Sequence, residues 1–409
     1  MKGGFYYDIV CPYAYIAFSL LHRSGVFRSG GLRLRPILLG GLFKLQGTPS
    51  DPNEVMPKGK AHYIRSDIKE QARLYSVPIS FHPRHPISTV TAMRLIHMCE
   101  DERDKESLTH DLYRSYWSEN VDIDDEGFLN ELAHRYSIGD FSDRLEQAKE
   151  ILINATDEAF QRGVFGVPCI NTDERIYFGS DRLVLLSQFL GLDLEDAPWP
   201  RSQEQVDFYF DFSSPYSYLA WIEIKKAISF GVRFRLIPVL LGAIFKELGI
   251  AGIPMQNSHP HKLKYYWQDM SDWAEFRGKP FNFSSHFPIR SILPLRVFIV
   301  DNNTLDCIFE AAWAEDLDVG NPSVLISVLN KHGFDGDVLV KRTDDLWVKE
   351  SLRQNTSHAI ERGVFGVPTF FIKGQMVFGQ DRFPLIKNIL SKPGSIEVTH
   401  EGNLGELIR

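Results

Sequence analysis

Cysteine is scarce in this sequence. There are four, Cys11, Cys99, Cys169 and Cys307, among 409 residues, and no two form a Cys-x-x-Cys pair. That scarcity argues against a structural disulfide framework and fits a reducing, cytoplasmic setting. Dense runs of Lys and Arg are also missing. With 45 basic against 53 acidic residues the net charge is −8, so the footprint expected of a nucleic-acid binder is absent. No apolar stretch reaches the roughly 18 residues of a membrane span. Met1-Lys2-Gly3-Gly4 leads directly into a strand pattern, so no signal peptide is expected. Histidines such as His82, His85, His259 and His261 lack metal-ligand spacing with Cys or carboxylates, and no metal site is assigned. What remains is an ordinary globular composition, 44% apolar and 24% charged, long enough for two or three domains.

Three pairs of segments recur in the same order, each offset by about 200 residues. Gly4-Phe5-Tyr6-Tyr7-Asp8-Ile9-Val10-Cys11-Pro12-Tyr13 matches Asp207-Phe208-Tyr209-Phe210-Asp211-Phe212-Ser213-Ser214-Pro215-Tyr216. Pro36-Ile37-Leu38-Leu39-Gly40 matches Pro238-Val239-Leu240-Leu241-Gly242. Arg162-Gly163-Val164-Phe165-Gly166-Val167-Pro168 matches residues 362–368 letter for letter. A period this long means that each copy is a whole domain. We expect domains at 1–197 and 204–395, a linker around 191–204, and an extended tail at 396–409.

Within each copy the pattern reads strand, helix, strand, a long helical stretch, a hairpin and a last helix. In the first copy these are strands at 4–10 and 32–38, a helix at 12–24, helical insertion about 42–160, and a hairpin built from Val167–Ile170 and Arg175–Phe178. In the second they are strands at 206–212 and 233–239, a helix at 215–229, helical insertion about 243–362, a hairpin at 368–378 and a helix at 382–391.

The chemistry concentrates where the first strand meets the first helix. Ser214 before Pro215 is a good N-cap followed by the favoured first helical residue. The helix N-terminus beyond the strand suits a thiolate or carboxylate. Ser214 therefore reads either as a cap or as a ligand-binding hydroxyl. Cys11 holds the matching position, and capping does not explain its choice. A thiol at a helix N-terminus is expected to have a depressed pKa and to be nucleophilic; the alternative is a small buried apolar residue. Pro168 and Pro368, after Val167 and Val367, suit cis peptides at the start of a strand, with the preceding residue offering its backbone to a peptide-like ligand. The other reading is a turn proline. Ser180-Asp181 and Gln380-Asp381, each between a Gly and an Arg, read from spacing as helix caps, although the same groups suit a ligand's amino or carboxyl end. Trp117 and Trp313 read as core. Cys169 follows Pro168, so a labile disulfide with Cys11 is a hypothesis to be tested by sulfur proximity.

Strand, polar residue, Pro and helix, followed far downstream by a presumed cis-Pro, resemble the active-site turn of thioredoxin-like folds. Asp207-Phe-Tyr-Phe-Asp-Phe-Ser-Ser-Pro-Tyr-Ser-Tyr-Leu-Ala220, with Gly363-Val-Phe-Gly-Val-Pro-Thr-Phe370 and Gly379-Gln-Asp-Arg382, is similar to the 2-hydroxychromene-2-carboxylate isomerases and kappa-class glutathione transferases. The resemblance covers both halves. It implies an α/β chain of two tandem thioredoxin-like domains, each with an inserted all-helical subdomain. It also implies glutathione as cofactor and a small-molecule substrate. Ser214 is then the hydroxyl on the glutathione sulfur, Val367 and Val167 pair with the glutathione backbone, and Gln380, Asp381, Ser180 and Asp181 hold the γ-glutamyl end. Two departures stand out. Cys11 replaces the Ser, with Ala14 where Cys-Pro-x-Cys oxidoreductases have a second Cys. The family's Asn before a Pro-Pro and Lys/Tyr segment has no counterpart in register, Asn53 and Asn257 being shifted. The expected activity is a glutathione-dependent isomerase or transferase. The alternatives are a monothiol oxidoreductase using Cys11 and a non-catalytic binding module. The fusion itself suggests a pseudo-dimer within one chain.

Overall fold

The structure is a computed structural model and describes residues 3–49, 56–139, 144–172, 175–192, 194, 197–250 and 252–392. Asn53 and the expected tail lie outside the described residues. In chain order the first repeat runs β1 (Gly3–Tyr7), α1 (Pro12–Ser24), β2 (Leu32–Pro36), α2 (Leu39–Leu45), α3 (Lys58–Leu74), α4 (Val90–Met98), α5 (Glu102–Trp117), α6 (Glu126–Arg135), α7 (Leu145–Gln161), β3 (Cys169–Asn171), β4 (Ile176–Phe178), a 3-10 turn at Ser180–Val184 and α8 (Ser187–Leu190). The second runs β5 (Gln205–Phe210), α9 (Pro215–Ser229), β6 (Arg233–Pro238), α10 (Leu241–Glu247), α11 (Pro260–Phe276), α12 (Ile292–Val300), α13 (Leu305–Trp313), α14 (Pro322–Lys331), α15 (Gly336–Arg342), α16 (Leu346–Glu361), β7 (Thr369–Ile372), β8 (Gln375–Phe378) and α17 (Phe383–Ser391).

Each repeat builds a four-stranded mixed sheet, in the orders β2-β1-β3-β4 and β6-β5-β7-β8. The first two strands of each repeat pair in parallel, and the closing hairpin pairs antiparallel to the first strand. β1 and β5 are therefore interior strands, which is why they are near-continuous apolar runs. β2, by contrast, alternates buried Leu32 and Leu34 with exposed Arg33 and Arg35. Aromatic rings fill the second repeat's sheet, with Phe208 and Phe210 stacked at 5.4 Å and Phe210 meeting Phe298 edge-on at 5.1 Å.

Contacts divide the chain into two compact units, and the division does not follow the repeats. One unit is Met1–Asp196 with Leu248–Phe281; the other is Ala197–Glu247 with Asn282–Arg409. α11, a second-repeat helix by sequence, thus belongs to the first unit. There it lies along the open edge of β4. The Gln268 amide pairs with both polar groups of the Ile176 backbone, donating to its carbonyl at 2.7 Å and accepting from its N–H at 3.2 Å. Asp269 grips Arg182 through two bonds, and Asp272 accepts from Arg175. A side-chain amide here does what a neighbouring strand would do for the sheet edge.

In the other unit the segment expected as linker is anchored by Trp199. Its indole donates to Glu223 at 2.9 Å, and Lys387 lies over its ring. Glu223 and Lys387 are both buried and stand 3.6 Å apart. Among the described residues no helix is long and apolar enough to cross a membrane.

The last helix differs between repeats. Pro384, in the first turn of α17, presets helical backbone angles, and α17 runs nine residues. The first repeat has Val184 there and forms only the 3-10 turn and the four-residue α8.

Candidate functional site

Ser214 caps α9. Its Oγ accepts from the Ser217 N–H at 3.2 Å and donates to the Val367 carbonyl at 3.2 Å. The Val367–Pro368 peptide is cis, as is Val167–Pro168. Cys11 occupies the same place at the head of α1, and its Sγ donates to the Val167 carbonyl at 3.3 Å. The cis prolines tie in the third motif, because the Pro368 carbonyl accepts from Gly379 N–H and the Pro168 carbonyl from Gly179 N–H. In each repeat the head of the first helix, the cis-Pro and the Gly-x-Asp-Arg turn are thereby linked by direct hydrogen bonds. Ser214, Val367, Pro368, Gln380 and Asp381 belong to one such set; Cys11, Val167, Pro168, Ser180 and Asp181 belong to the other.

One sequence expectation is corrected here. Cys11 does not have a depressed pKa. It is buried, only 8% exposed, and desolvation pushes its thiol up to about 12, outweighing the N–H groups of Tyr13 and Ala14 that favour the thiolate. In the Gly-x-Asp-Arg turns Asp181 pairs with Arg182 at 2.7 Å and Asp381 with Arg382 at 3.0 Å. Gly379 makes this turn possible. Its φ is 113°, and a Cβ there would sit 2.6 Å from Asp381 Oδ1. All four cysteines are free thiols, so no bond joins Cys11 to Cys169.

The turn is held from behind by residues whose part sequence reasoning missed. Asp211 is wholly buried, and its carboxylate accepts from Ser213 N–H at 2.9 Å and Leu241 N–H at 2.8 Å. Asp8 does the same for Val10 and Leu39 and also accepts from Thr89. Burial raises both carboxyls, with those hydrogen bonds pulling the other way. Trp313 and Trp117 are core, as expected, but each indole N–H also donates at 2.8 Å to a turn carbonyl, Phe212 and Ile9 respectively. The signal was present: an Asp three residues before Cys11 and before Ser214, and a Trp in matched contexts. His85–Pro86 and Phe287–Pro288, also cis, were not foreseen. Among the described residues no group of three or more His, Cys, Asp or Glu could hold a metal ion.

The two sites differ in one way that matters chemically. Both groups are buried, but the second is a hydroxyl at the head of a 15-residue helix and the first a protonated thiol.

Comparison with known proteins gives the same pattern twice. The DSBA-like thioredoxin domain matches residues 4–191 and again 205–391. The chain is 30% identical over 193 residues to a 2-hydroxychromene-2-carboxylate isomerase of Pseudomonas putida, spanning 46% of this chain and 94% of that protein. It is 30% identical over 213 residues to glutathione S-transferase kappa 2 of Caenorhabditis elegans, spanning 47% of this chain and 94% of that one. A solved 2-hydroxychromene-2-carboxylate isomerase structure aligns at 30% identity and a TM-score of 0.42, covering 45% of this chain and 93% of its own. Two matched domains, together taking in nearly the whole sequence, place this chain in the DsbA-like thioredoxin-domain family, with 2-hydroxychromene-2-carboxylate isomerases and kappa-class glutathione transferases among its relatives.

Proposed function

We propose that this chain is a glutathione-dependent isomerase or transferase acting on a small conjugated or electrophilic substrate, with its working site in the second repeat. The observation that carries the reading is the Ser214 hydroxyl. It stands at the N-terminus of α9, bonded to the carbonyl before a cis-Pro. A hydroxyl donor and a helix N-terminus together favour a thiolate over a thiol.

The neighbouring groups fit the rest of glutathione. Val367 supplies backbone polar groups beside Ser214, and among the described residues its N–H has no protein partner. Gln380 and Asp381, brought near by the Pro368–Gly379 bond, suit the γ-glutamyl end. When bound, glutathione supplies a nucleophilic sulfur able to add reversibly to a conjugated double bond, so that bond becomes free to rotate before the sulfur departs. The chain's own residues bind and orient. Ser214 and the α9 N-terminus hold the sulfur ionised, the cis-Pro turn fixes the peptide backbone, and Asp211 and Trp313 keep the turn from yielding. The first-repeat thiol, which burial holds in its protonated form near neutral pH, argues against a redox role for Cys11. The same reading places the chain in the cytoplasm, where free thiols persist.

Calorimetric titration of glutathione tests this. Ser214→Ala should weaken binding at least tenfold, while Cys11→Ala should leave it unchanged. Absence of binding to the wild-type chain, or loss only in Cys11→Ala, would refute the assignment.

A further inference from the structure

Ser217 lies three residues beyond Ser214, in the first turn of α9. Its N–H donates to Ser214 Oγ, so the two side chains leave the helix end as neighbours. Ser217 is wholly buried, and its own hydroxyl has no hydrogen-bond partner among the described residues. Leaving a hydroxyl unpaired in the interior is destabilising, and most such groups in folded proteins are paired. The turn does not require it. The first repeat builds the same helix head with Ala14, which is equally buried.

We propose that Ser217 is a positioning residue for the sulfur site, its hydroxyl serving as the donor that Ser214 takes up when a thiolate binds. Ser214 has one proton to give, and without ligand it gives it to the Val367 carbonyl. When that proton turns to sulfur, the Ser214 oxygen keeps the Ser217 N–H and has a second lone pair open. Rotation about the Ser217 side-chain bond brings its hydroxyl there. The chain Ser217 to Ser214 to sulfur then consists of hydrogen bonds that polarise one another, which strengthens the donor facing the charge. The thiolate is favoured over the thiol, and no atom is transferred. The first repeat, with Ala14 and Cys11, has no such chain.

This inference rests on Ser214 being the glutathione site. Its test is the pKa of bound glutathione, read from the ultraviolet absorbance of the thiolate through a pH titration. Wild type, Ser217→Ala, Ser214→Ala and the double variant are compared. Ser217→Ala should raise the bound thiol's pKa by about one unit, a tenfold lower ionisation constant. In the Ser214→Ala background it should change nothing further. Affinity for S-methylglutathione, which cannot ionise, should be unaltered, and the melting temperature of the unliganded protein should not fall. A wild-type pKa in Ser217→Ala, an equal shift without Ser214, or loss of S-methylglutathione binding would each overturn the inference while leaving Ser214 in place. Failure of the wild type to bind glutathione would remove both readings together.

Discussion

Replacing Trp313 by Phe separates what holds the Ser214 turn from what fills the core. The indole N–H is 2.8 Å from the Phe212 carbonyl, in a site where both residues are wholly buried. Without the N–H that carbonyl loses this partner in the interior, costing about 1–3 kcal/mol. The smaller ring also gives up buried apolar surface and leaves a void, about another 1–2 kcal/mol. A total of about 3 kcal/mol lowers the melting temperature by roughly 6–12 °C for a unit of this size. Trp117→Phe is the matched control, because its indole makes the same 2.8 Å bond to Ile9 in the first repeat. Scanning calorimetry should show comparable destabilisation for both variants. Titration with glutathione should separate them: Trp313→Phe weakens binding several-fold by loosening the turn that carries Ser214, and Trp117→Phe does not. Melting temperatures within about 2 °C of wild type in both would refute the energetic argument. Equal loss of binding in both would refute the placement of the working site.

Three more outcomes follow from the same geometry. With a pKa of about 12, Cys11 is ionised to only about one part in ten thousand at pH 8, so iodoacetamide should leave it unmodified in the native protein and label it rapidly in denaturant; native labelling at the rate of an ordinary thiol would contradict its burial. The sign for stability follows, since the fold favours the neutral thiol: this contribution is complete below the ordinary thiol value of 9.0 and is lost as pH rises from there to about 12. Gly379→Ala places a Cβ against Asp381 and forces a residue with a side chain to φ 113°, costing about 1–3 kcal/mol, and should weaken glutathione binding about tenfold; an unchanged isotherm would mean that Asp381 is not a ligand. Glu223 is buried against two ammonium groups, Lys226 at 3.3 Å and Lys387 at 3.6 Å; Lys226→Met with Lys387→Met leaves the carboxylate without an ammonium partner and should cost about 3 kcal/mol in urea unfolding, Lys387→Met alone costing less, and no loss in the double variant would show the pairing to be dispensable.

Local features were legible in the sequence. The helix expected at 215–229 is α9, because Ser-Pro marks its start and an apolar run defines its body. Both cis prolines beside the sites and both hairpins are where Gly-Val-Pro put them. What failed depended on surroundings that no local pattern encodes. A helix N-terminus lowers a thiol's pKa only where water or charge supports the anion, and Cys11 has neither. The indole bonds of Trp117 and Trp313 span more than a hundred residues, beyond the reach of periodicity. The membership of α11 in the first unit is of the same kind, since its amphipathic pattern says that it packs but not on what.

That membership imposes an order on biosynthesis. Arg182 must wait for a carboxylate 87 residues downstream, and the backbone of Ile176 waits for an amide 92 residues on. At about 5–20 residues per second a ribosome needs roughly 4–17 s to cover the first gap. Throughout that interval the nascent first sheet carries an uncovered edge strand, and the stretch 197–247 made within it belongs to the other unit. A nascent chain in this state has a bare β4 open to another chain, so translation pausing between residues 182 and 269 would prolong exposure to chaperones and to aggregation alike.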